Sequence, residues 1–138
     1  MFLTMECDYG MRILRSLSNN PNRLSAKEIA KDEQISSSFA HKILEKLKRA
    51  RIIGGNRGRG GGYFLIRPAD SISLWDVYSI IAPDKYLCAC LDNKNKCTKK
   101  THSKQQCKTH NEMARIQQMM ITEFSKISVA DISYASTH

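Results

Sequence analysis

The sequence is short of acidic residues and of long apolar runs. Asp and Glu total 13 against 22 Lys and Arg, which leaves a net charge of +9 over 138 residues. An excess of positive charge favours an acidic partner, most often nucleic acid. The apolar runs are too short to span a bilayer, and the chain does not open with a basic stretch followed by an apolar one. We therefore expect a cytoplasmic protein with no membrane partner.

Catalytic motifs are also missing. The sequence shows neither a nucleophile–base pairing nor a metalloprotease motif, so we expect no enzyme and no small-molecule substrate. Hydrophobic residues still make up 41% of the chain, which is too many for a disordered protein. The length suits one domain, or one small domain with an appendage.

The basic residues fall into two blocks. Eight Lys and Arg stand between residues 42 and 67 with one acid, and seven Lys stand between residues 84 and 110 with two acids. Such blocks are typical of docking surfaces, or of solvated faces that only keep a protein soluble. Four of the five cysteines lie in the second block, where few large apolar residues follow Leu91. That segment cannot order itself by burial.

Apolar residues recur at helical spacing in the first fifty residues. They predict helices at about residues 4–19, 26–33 and 36–50. Ser25 stands three residues before Glu28, which is the pattern of a capping box. The third helix carries an apolar stripe that includes Phe39.

A glycine-rich stretch then ends the helical spacing of the apolar residues. Residues 52–53 and 63–66 are strand candidates on either side of it, which predicts a β-hairpin. A further helix is expected after a cap at Ser71 or Ser73 and before Pro83, and another at about residues 109–126. The last helix carries a nearly heptad stripe of Met, Ile and Phe, which suits a partner helix in a two-fold dimer.

Three helices followed by a basic hairpin are typical of a winged helix-turn-helix. We predict a mainly α fold with a small β-hairpin, in which a winged helix-turn-helix domain precedes a long C-terminal dimerisation helix. A helix fits the major groove of DNA, and arginines at a hairpin tip suit the minor groove. The candidate DNA-binding residues are Ser37, Ser38, His41 and Lys42 on the third helix and Arg57 and Arg59 in the wing.

The same pattern divides the chain into three parts. Residues 1–82 form the DNA-binding domain, with the wing at about 52–67. Residues 83–108 form a cysteine-rich sensor loop, and residues 109–138 form the dimerisation helix and tail.

Several motifs together resemble one family over essentially the whole chain. They include Leu3-Thr4, Ala26–Ala30, Ile35-Ser36, the stretch from Arg57 to Tyr63, and Ile127–Asp131. With them the chain resembles the Rrf-two (Rrf2) family of bacterial regulators. The resemblance implies a homodimer on double-stranded DNA with a palindromic or semi-palindromic operator. The family usually has Pro where this chain has Arg59, which adds a charge and loosens the wing tip.

The resemblance also implies a role for the cysteines. Cluster-bearing members carry three cysteines between the last two long helices, and Cys90, Cys97 and Cys107 match them by position. His110 follows Cys107 at a C-x2-H spacing that resembles a ligand pair of the family, and Asp8 is the next candidate for the fourth ligand. Cys7, Glu6 and Cys88 are weaker candidates. The implied cofactor is an iron–sulfur cluster, 2Fe–2S or 4Fe–4S, although thiolates suit zinc as well.

Our main hypothesis is a sequence-specific DNA-binding transcriptional regulator whose DNA affinity responds to that cluster. Other interpretations stay open from the residues alone. A thiol switch without a metal has Cys88 and Cys90 as extra partners, and the thiols can also hold zinc or be unreactive. A small basic protein that handles metal or redox equivalents, and is not a regulator, is a further alternative.

Overall fold

A computed structural model describes residues 3–56, 58, 60–94 and 106–133. This part of the chain folds into six α-helices and one two-stranded sheet, so the predicted mainly α fold with a small hairpin and a long C-terminal helix is confirmed. The elements are α1 (Met5–Asn19), α2 (Ala26–Glu33), α3 (Ser37–Arg49), β1 (Ile53–Asn56), β2 (Gly62–Leu65), α4 (Leu74–Ile81), α5 (Lys108–Lys126) and α6 (Val129–Ile132). Short 3-10 turns occur at Ala69–Ser71 and Ala89–Leu91.

Side-chain caps fix where α2 and α4 begin. The predicted capping box is present, since Glu28 N donates to Ser25 Oγ (3.1 Å) and Ser25 N donates to Glu28 Oε2 (2.7 Å). Ser73 and Asp76 form the same motif at the start of α4. Each cap satisfies amide groups that the first helical turn leaves unpaired, so these starts are encoded locally.

The core lies where α1 packs against α2, α3, α4 and α6. Its largest fully buried aliphatic side chains are Ile13, Leu14, Ile29, Ile43, Leu44, Leu47, Ile52, Ile53, Ile72 and Ile81. Phe39, which the sequence pattern places on the buried stripe of α3, is 40% exposed, and Ala40 takes the buried position instead. The Phe39 ring meets the edge of Tyr9 at a centroid distance of 5.8 Å.

The hairpin joins the helical core through both strands, since β1 contacts α3 and β2 contacts α1. β1 and β2 pair antiparallel, with Ile53 opposite Leu65 and Asn56 opposite Gly62. Tyr63 also exchanges two backbone hydrogen bonds with Leu24, which precedes α2 (3.1 and 2.7 Å). The hairpin is therefore fastened to the segment before α2 at Tyr63, close to its turn.

The C-terminal helix packs on α4 along one face. Tyr78 and Phe124 meet at a ring-centroid distance of 6.1 Å, while Ile116 and Met119 are 36% and 56% exposed. After α5 the chain returns to the start of α4, where Leu74 N donates to Ile127 O (2.8 Å). The short α6 that follows was not predicted. Within the described ranges, no helix is long and apolar enough to cross a membrane.

Candidate nucleic-acid interface and cysteine segment

The first turn of α3 presents two serines to solvent. Ser36 caps the helix, because Phe39 N donates to its Oγ (3.4 Å). Ser37 and Ser38 follow it and are exposed. Just before them, Gln34 adopts a left-handed backbone conformation (φ 55°) that ends α2 and turns the chain into α3. The tight turn leaves both predicted contact residues open to a partner.

His41 lies at the junction of α3 and the wing. The half-buried imidazole lines a cavity of about 240 Å³ together with Ser25, Asn56, Gly61 and Tyr63. Its Nδ1 is buried and has no hydrogen-bond partner among the described residues. An unsatisfied buried polar atom costs about 1–3 kcal/mol, so this nitrogen is a group that a bound partner or water can satisfy.

Lys42 forms an ion pair within the protein. Its Nζ lies 2.6 Å from Glu6 Oε1 in the first turn of α1. Lys46, one turn further along α3, places its Nζ 2.8 Å from the other oxygen, Glu6 Oε2. The hydrogen bonds from Lys42 and Lys46 hold the pKa of the Glu6 carboxyl below its ordinary value. A candidate DNA contact is thus already paired with a carboxylate.

Sequence reasoning missed this Glu6 site. Glu6 stands 36 and 40 residues from its two partners, so no local spacing signals the contact. Lys46 also donates to Ile81 O (3.2 Å) at the last turn of α4. Only the packing of α1 and α4 against α3 brings the three groups together.

The wing has the geometry of a tight glycine turn. Gly61 N donates to Gly58 O (3.0 Å), and the glycines at 55, 58, 60 and 62 all have positive φ. The predicted contacts Arg57 and Arg59 lie outside the described residues. Beside β2, the Arg23 guanidinium lies over the Phe64 ring, 4.5 Å from its centroid. Arg23 is thus a cation beside the wing that was not among the predicted contact residues.

The cysteine segment is described on both sides of a gap. Cys88, Cys90 and Cys107 are half-buried and form no disulfide, whereas Cys97 lies outside the described residues. The Cys88 and Cys90 sulfurs are 3.4 Å apart across the 3-10 turn. In the part of the chain that the structure describes, no three His, Cys, Asp or Glu side chains come together as a metal site.

His110 is the candidate fourth ligand that has an orphaned atom. It lies in the first turn of α5, and its Nδ1 is buried without a hydrogen-bond partner in the described ranges. Asp8 is 51% exposed and pairs with Arg12 at 3.0 Å within α1. Cys7 is fully buried in the core, where Thr4 Oγ1 donates to its sulfur (3.3 Å). Thiolate and imidazole donors suit an iron–sulfur cluster, so the described members of the predicted set fit that group in chemistry.

The start of the cysteine segment is fastened to both neighbouring helices. Leu87 N donates to Gln117 Oε1 on α5 (2.8 Å), and Tyr78 on α4 donates its hydroxyl to Asp84 O (3.1 Å). Trp75 stacks on Tyr78 at 5.5 Å between ring centroids. The segment is therefore linked by hydrogen bonds to both α4 and α5.

Comparisons with known proteins agree with this architecture. Protein aau3 of Rhizobium meliloti (strain 1021) is 37% identical over 93 residues, which are 67% of this chain and 60% of that protein. CymR, the global cysteine regulator of B. subtilis, matches with a TM-score of 0.75 at 17% identity over 96% of both chains. IscR of T. potens matches with a TM-score of 0.71 at 19% identity, over 96% of this chain and 85% of that one.

The two structural likenesses establish a shared fold. The family model described as Rrf2, iron-dependent transcriptional regulator, matches residues 3–135, nearly the whole chain. The chain belongs to the Rrf2 family of DNA-binding transcriptional regulators.

Proposed function

We propose that the protein is a homodimeric, sequence-specific transcriptional regulator whose affinity for double-stranded DNA responds to an iron–sulfur cluster. The observation that carries the DNA-binding part is the exposed first turn of α3 beside a glycine-rich basic wing. In this proposal residues 1–82 bind DNA, residues 83–108 sense, and residues 109–138 form the dimer.

The proposed DNA-binding surface contacts both grooves of the duplex. Ser37, Ser38 and His41 are placed to reach base edges in the major groove, because side chains from the first turns of a recognition helix contact bases. Arg57 and Arg59 of the wing are proposed to enter the minor groove, where a narrow groove attracts arginine. A palindromic or semi-palindromic operator follows from two-fold symmetry.

The dimer is proposed to form along α5. Ile116 and Met119 leave apolar surface exposed on α5, next to Met120 and Phe124, which pack on the core. A second α5 related by two-fold symmetry would cover this surface with the same residues.

The cluster is proposed to be a 2Fe–2S or 4Fe–4S centre held by Cys90, Cys97 and Cys107. His110 is our preferred fourth ligand, because its buried Nδ1 lacks a partner among the described residues. Asp8 is the second choice, since it is exposed and already paired with Arg12. When bound, such a cluster would supply a centre whose state depends on iron supply, redox state or nitric oxide.

The chain's own contacts give a route from that segment to DNA. Tyr78 and Gln117 hold residues 84 and 87 to α4 and α5. A rearranged cysteine segment would shift these helices and favour one dimer geometry over another. DNA affinity changes only as far as DNA binds the two geometries differently.

A thiol switch without a metal is the second candidate, and one distance favours it. The Cys88 and Cys90 sulfurs are 3.4 Å apart, close enough to form a hydrogen bond. A two-electron oxidant such as a peroxide would join the two thiols in a disulfide, with loss of both thiol protons, and so alter the same segment without any iron. Membership in a regulator family disfavours the alternative of a small metal-handling protein.

Two measurements test the proposal. DNA affinity should fall steeply with salt, because each phosphate contact adds about 0.9 to the slope of log affinity against log salt. Arg57→Ala should weaken binding to all sequences, whereas Ser38→Ala and His41→Ala should change sequence preference. No detectable duplex binding at low salt in any cluster state would overturn the regulator assignment.

The second measurement is the iron and sulfide content, with the absorbance spectrum, of protein purified without oxygen. Coloured protein with matching iron and sulfide supports the cluster. Colourless protein that contains zinc overturns the cluster assignment. Protein with neither metal also overturns it and supports the thiol switch instead.

A further inference from the structure

The Glu6 carboxylate joins the start of α1 to two lysines on one face of the recognition helix. Oε1 accepts from Lys42 at 2.6 Å, and Oε2 accepts from Lys46 at 2.8 Å. Because the lysines are four residues apart, they project from the same side of α3. Each carboxylate oxygen therefore has its own ammonium group.

The two lysines are held to different degrees. Lys46 also donates to Ile81 O, so two elements fix it, and its side chain is 29% exposed. Within the part of the chain that the structure describes, Lys42 donates its hydrogen bond to Glu6 alone, and its side chain is 57% exposed. Lys46 thus anchors Glu6, while Lys42 is the lysine that can exchange the carboxylate for a DNA phosphate.

This arrangement bears on binding to DNA of arbitrary sequence. Such binding is driven almost entirely by lysine and arginine contacts to phosphates. A Lys42 already paired with Glu6 gains little from a phosphate, since it must give up one anion to gain another. The fixed negative charge of Glu6 also repels any phosphate that approaches the lysine pair.

We propose that Glu6 is a specificity-determining residue that suppresses non-specific DNA binding by holding Lys42. This proposal rests on the proposed function, because it assumes that α3 binds DNA. Groove contacts at an operator fix α3 in one position, and Lys42 can then pass from Glu6 to a phosphate. On other sequences those contacts are missing and the ion pair persists. Glu6 thus weakens binding to other sequences more than it weakens binding to the operator.

The test measures the affinity of the protein for a labelled random-sequence duplex over a series of salt concentrations. Glu6→Gln keeps the size of the side chain and removes its charge. We expect this variant to bind random DNA several-fold more tightly at low salt. The slope of log affinity against log salt should steepen by about one, the contribution of one new phosphate contact.

A matched control separates this contact from net charge. Glu123→Gln removes another lysine-paired carboxylate, 2.7 Å from Lys126 on α5, and should leave the slope unchanged. Adding Lys42→Gln to Glu6→Gln should abolish the gain. If Glu6→Gln is poorly folded by circular dichroism, Glu6→Ala is measured in its place and should show the same steeper slope.

The outcomes separate the two proposals. A wild-type slope in Glu6→Gln, or equal slopes in Glu6→Gln and Glu123→Gln, overturns the role of Glu6 while DNA binding stands. A wild-type protein that binds neither random duplex nor genomic fragments at low salt overturns the proposed function itself.

Discussion

Gly10 on α1 packs directly against the side chain of Ile81 on α4. A methyl group built on Gly10 would overlap Ile81 Cδ1, while its next neighbours, Ile81 Cγ1 and Val77 Cγ1, would lie at ordinary contact distances of 3.5 and 3.6 Å. The absent side chain lets the two helices approach at the point where the chain leaves α4 for the cysteine segment. The closeness of α1 and α4 thus depends on one glycine and one terminal methyl group.

We predict that the effect of Gly10→Ala on stability depends on residue 81. In the wild-type background, overpacking costs about 1–3 kcal/mol and outweighs or cancels the gain of about 1 kcal/mol in helix propensity. Ile81→Val removes the overlapping methyl, so Gly10→Ala should become stabilising in that background. Urea unfolding of the two single variants and the double variant measures this coupling. Strictly additive changes in the free energy of unfolding would show that a methyl group at residue 10 does not contact the side chain of residue 81.

The hairpin provides a second prediction, through a pair of glycines. Gly55 has φ +144°, and a Cβ there would meet the backbone of Tyr63 at 2.8 Å. Gly58 has φ +101°, but a Cβ there would have no heavy atom within 4 Å among the described residues. Positive φ strains both alanine variants by about 1–3 kcal/mol, and only Gly55→Ala adds a backbone clash.

Gly55→Ala should therefore lower the free energy of unfolding more than Gly58→Ala and weaken duplex binding with it. Chemical denaturation and a duplex-binding assay of both variants measure the two effects. Equal losses in stability would mean that strand pairing at Gly55 is not as tight as the structure places it.

Local signals explain which parts of the fold were predictable. Ser25 and Glu28 lie within one turn, so their capping box can be identified from sequence spacing alone. The glycine run after α3 likewise marks a hairpin, since helices exclude such a stretch. These features need no knowledge of distant residues.

Distant contacts explain what the sequence did not predict. Periodicity places Phe39 on the apolar stripe, but the side chain lies at the rim against Tyr9 and remains 40% exposed. The sequence around Lys42 shows no partner for its charge, whereas in the folded protein α1 places Glu6 beside it. The pairing of Ser73 with Ser128 likewise joins segments 55 residues apart. In each case tertiary packing decides the outcome.

The ligand assignment gives a third prediction, with Cys88 as its control. Cys90→Ser, Cys97→Ser and Cys107→Ser should each lose most of the iron and sulfide of anaerobically purified protein. Cys88→Ser should retain both, although its sulfur lies 3.4 Å from that of Cys90. Loss of iron from Cys88→Ser alone would place Cys88 in the ligand set instead of Cys90.

The fourth ligand is distinguished by a separate comparison. His110→Ala should lower the iron content or shift the absorbance spectrum, because a thiolate set without its nitrogen donor holds the cluster less tightly. Asp8→Ala should leave both unchanged, since Asp8 is engaged by Arg12. The reverse result would transfer the role to Asp8.

The fourth prediction concerns acid stability and again involves Glu6. The Lys42 and Lys46 hydrogen bonds lower the folded-state pKa of Glu6 below 4.5. A group whose pKa is depressed by folding contributes stability above its unfolded pKa, and loses it as the pH falls through the folded pKa. Glu6→Gln should therefore melt at a lower temperature than wild type near neutral pH.

The difference in melting temperature between wild type and Glu6→Gln should shrink as the pH falls below 4.5. Below the folded pKa the wild-type carboxyl is protonated and resembles the amide, so the two curves should converge. Glu28 and Asp131 also have lowered pKa values, from hydrogen bonds with Ser25 and Ser128. Both proteins share those groups, so subtraction removes their effect. A difference that stays constant from neutral pH to acid would show that the Glu6 charge contributes nothing to folding, and that its contact with the lysines is not maintained in solution.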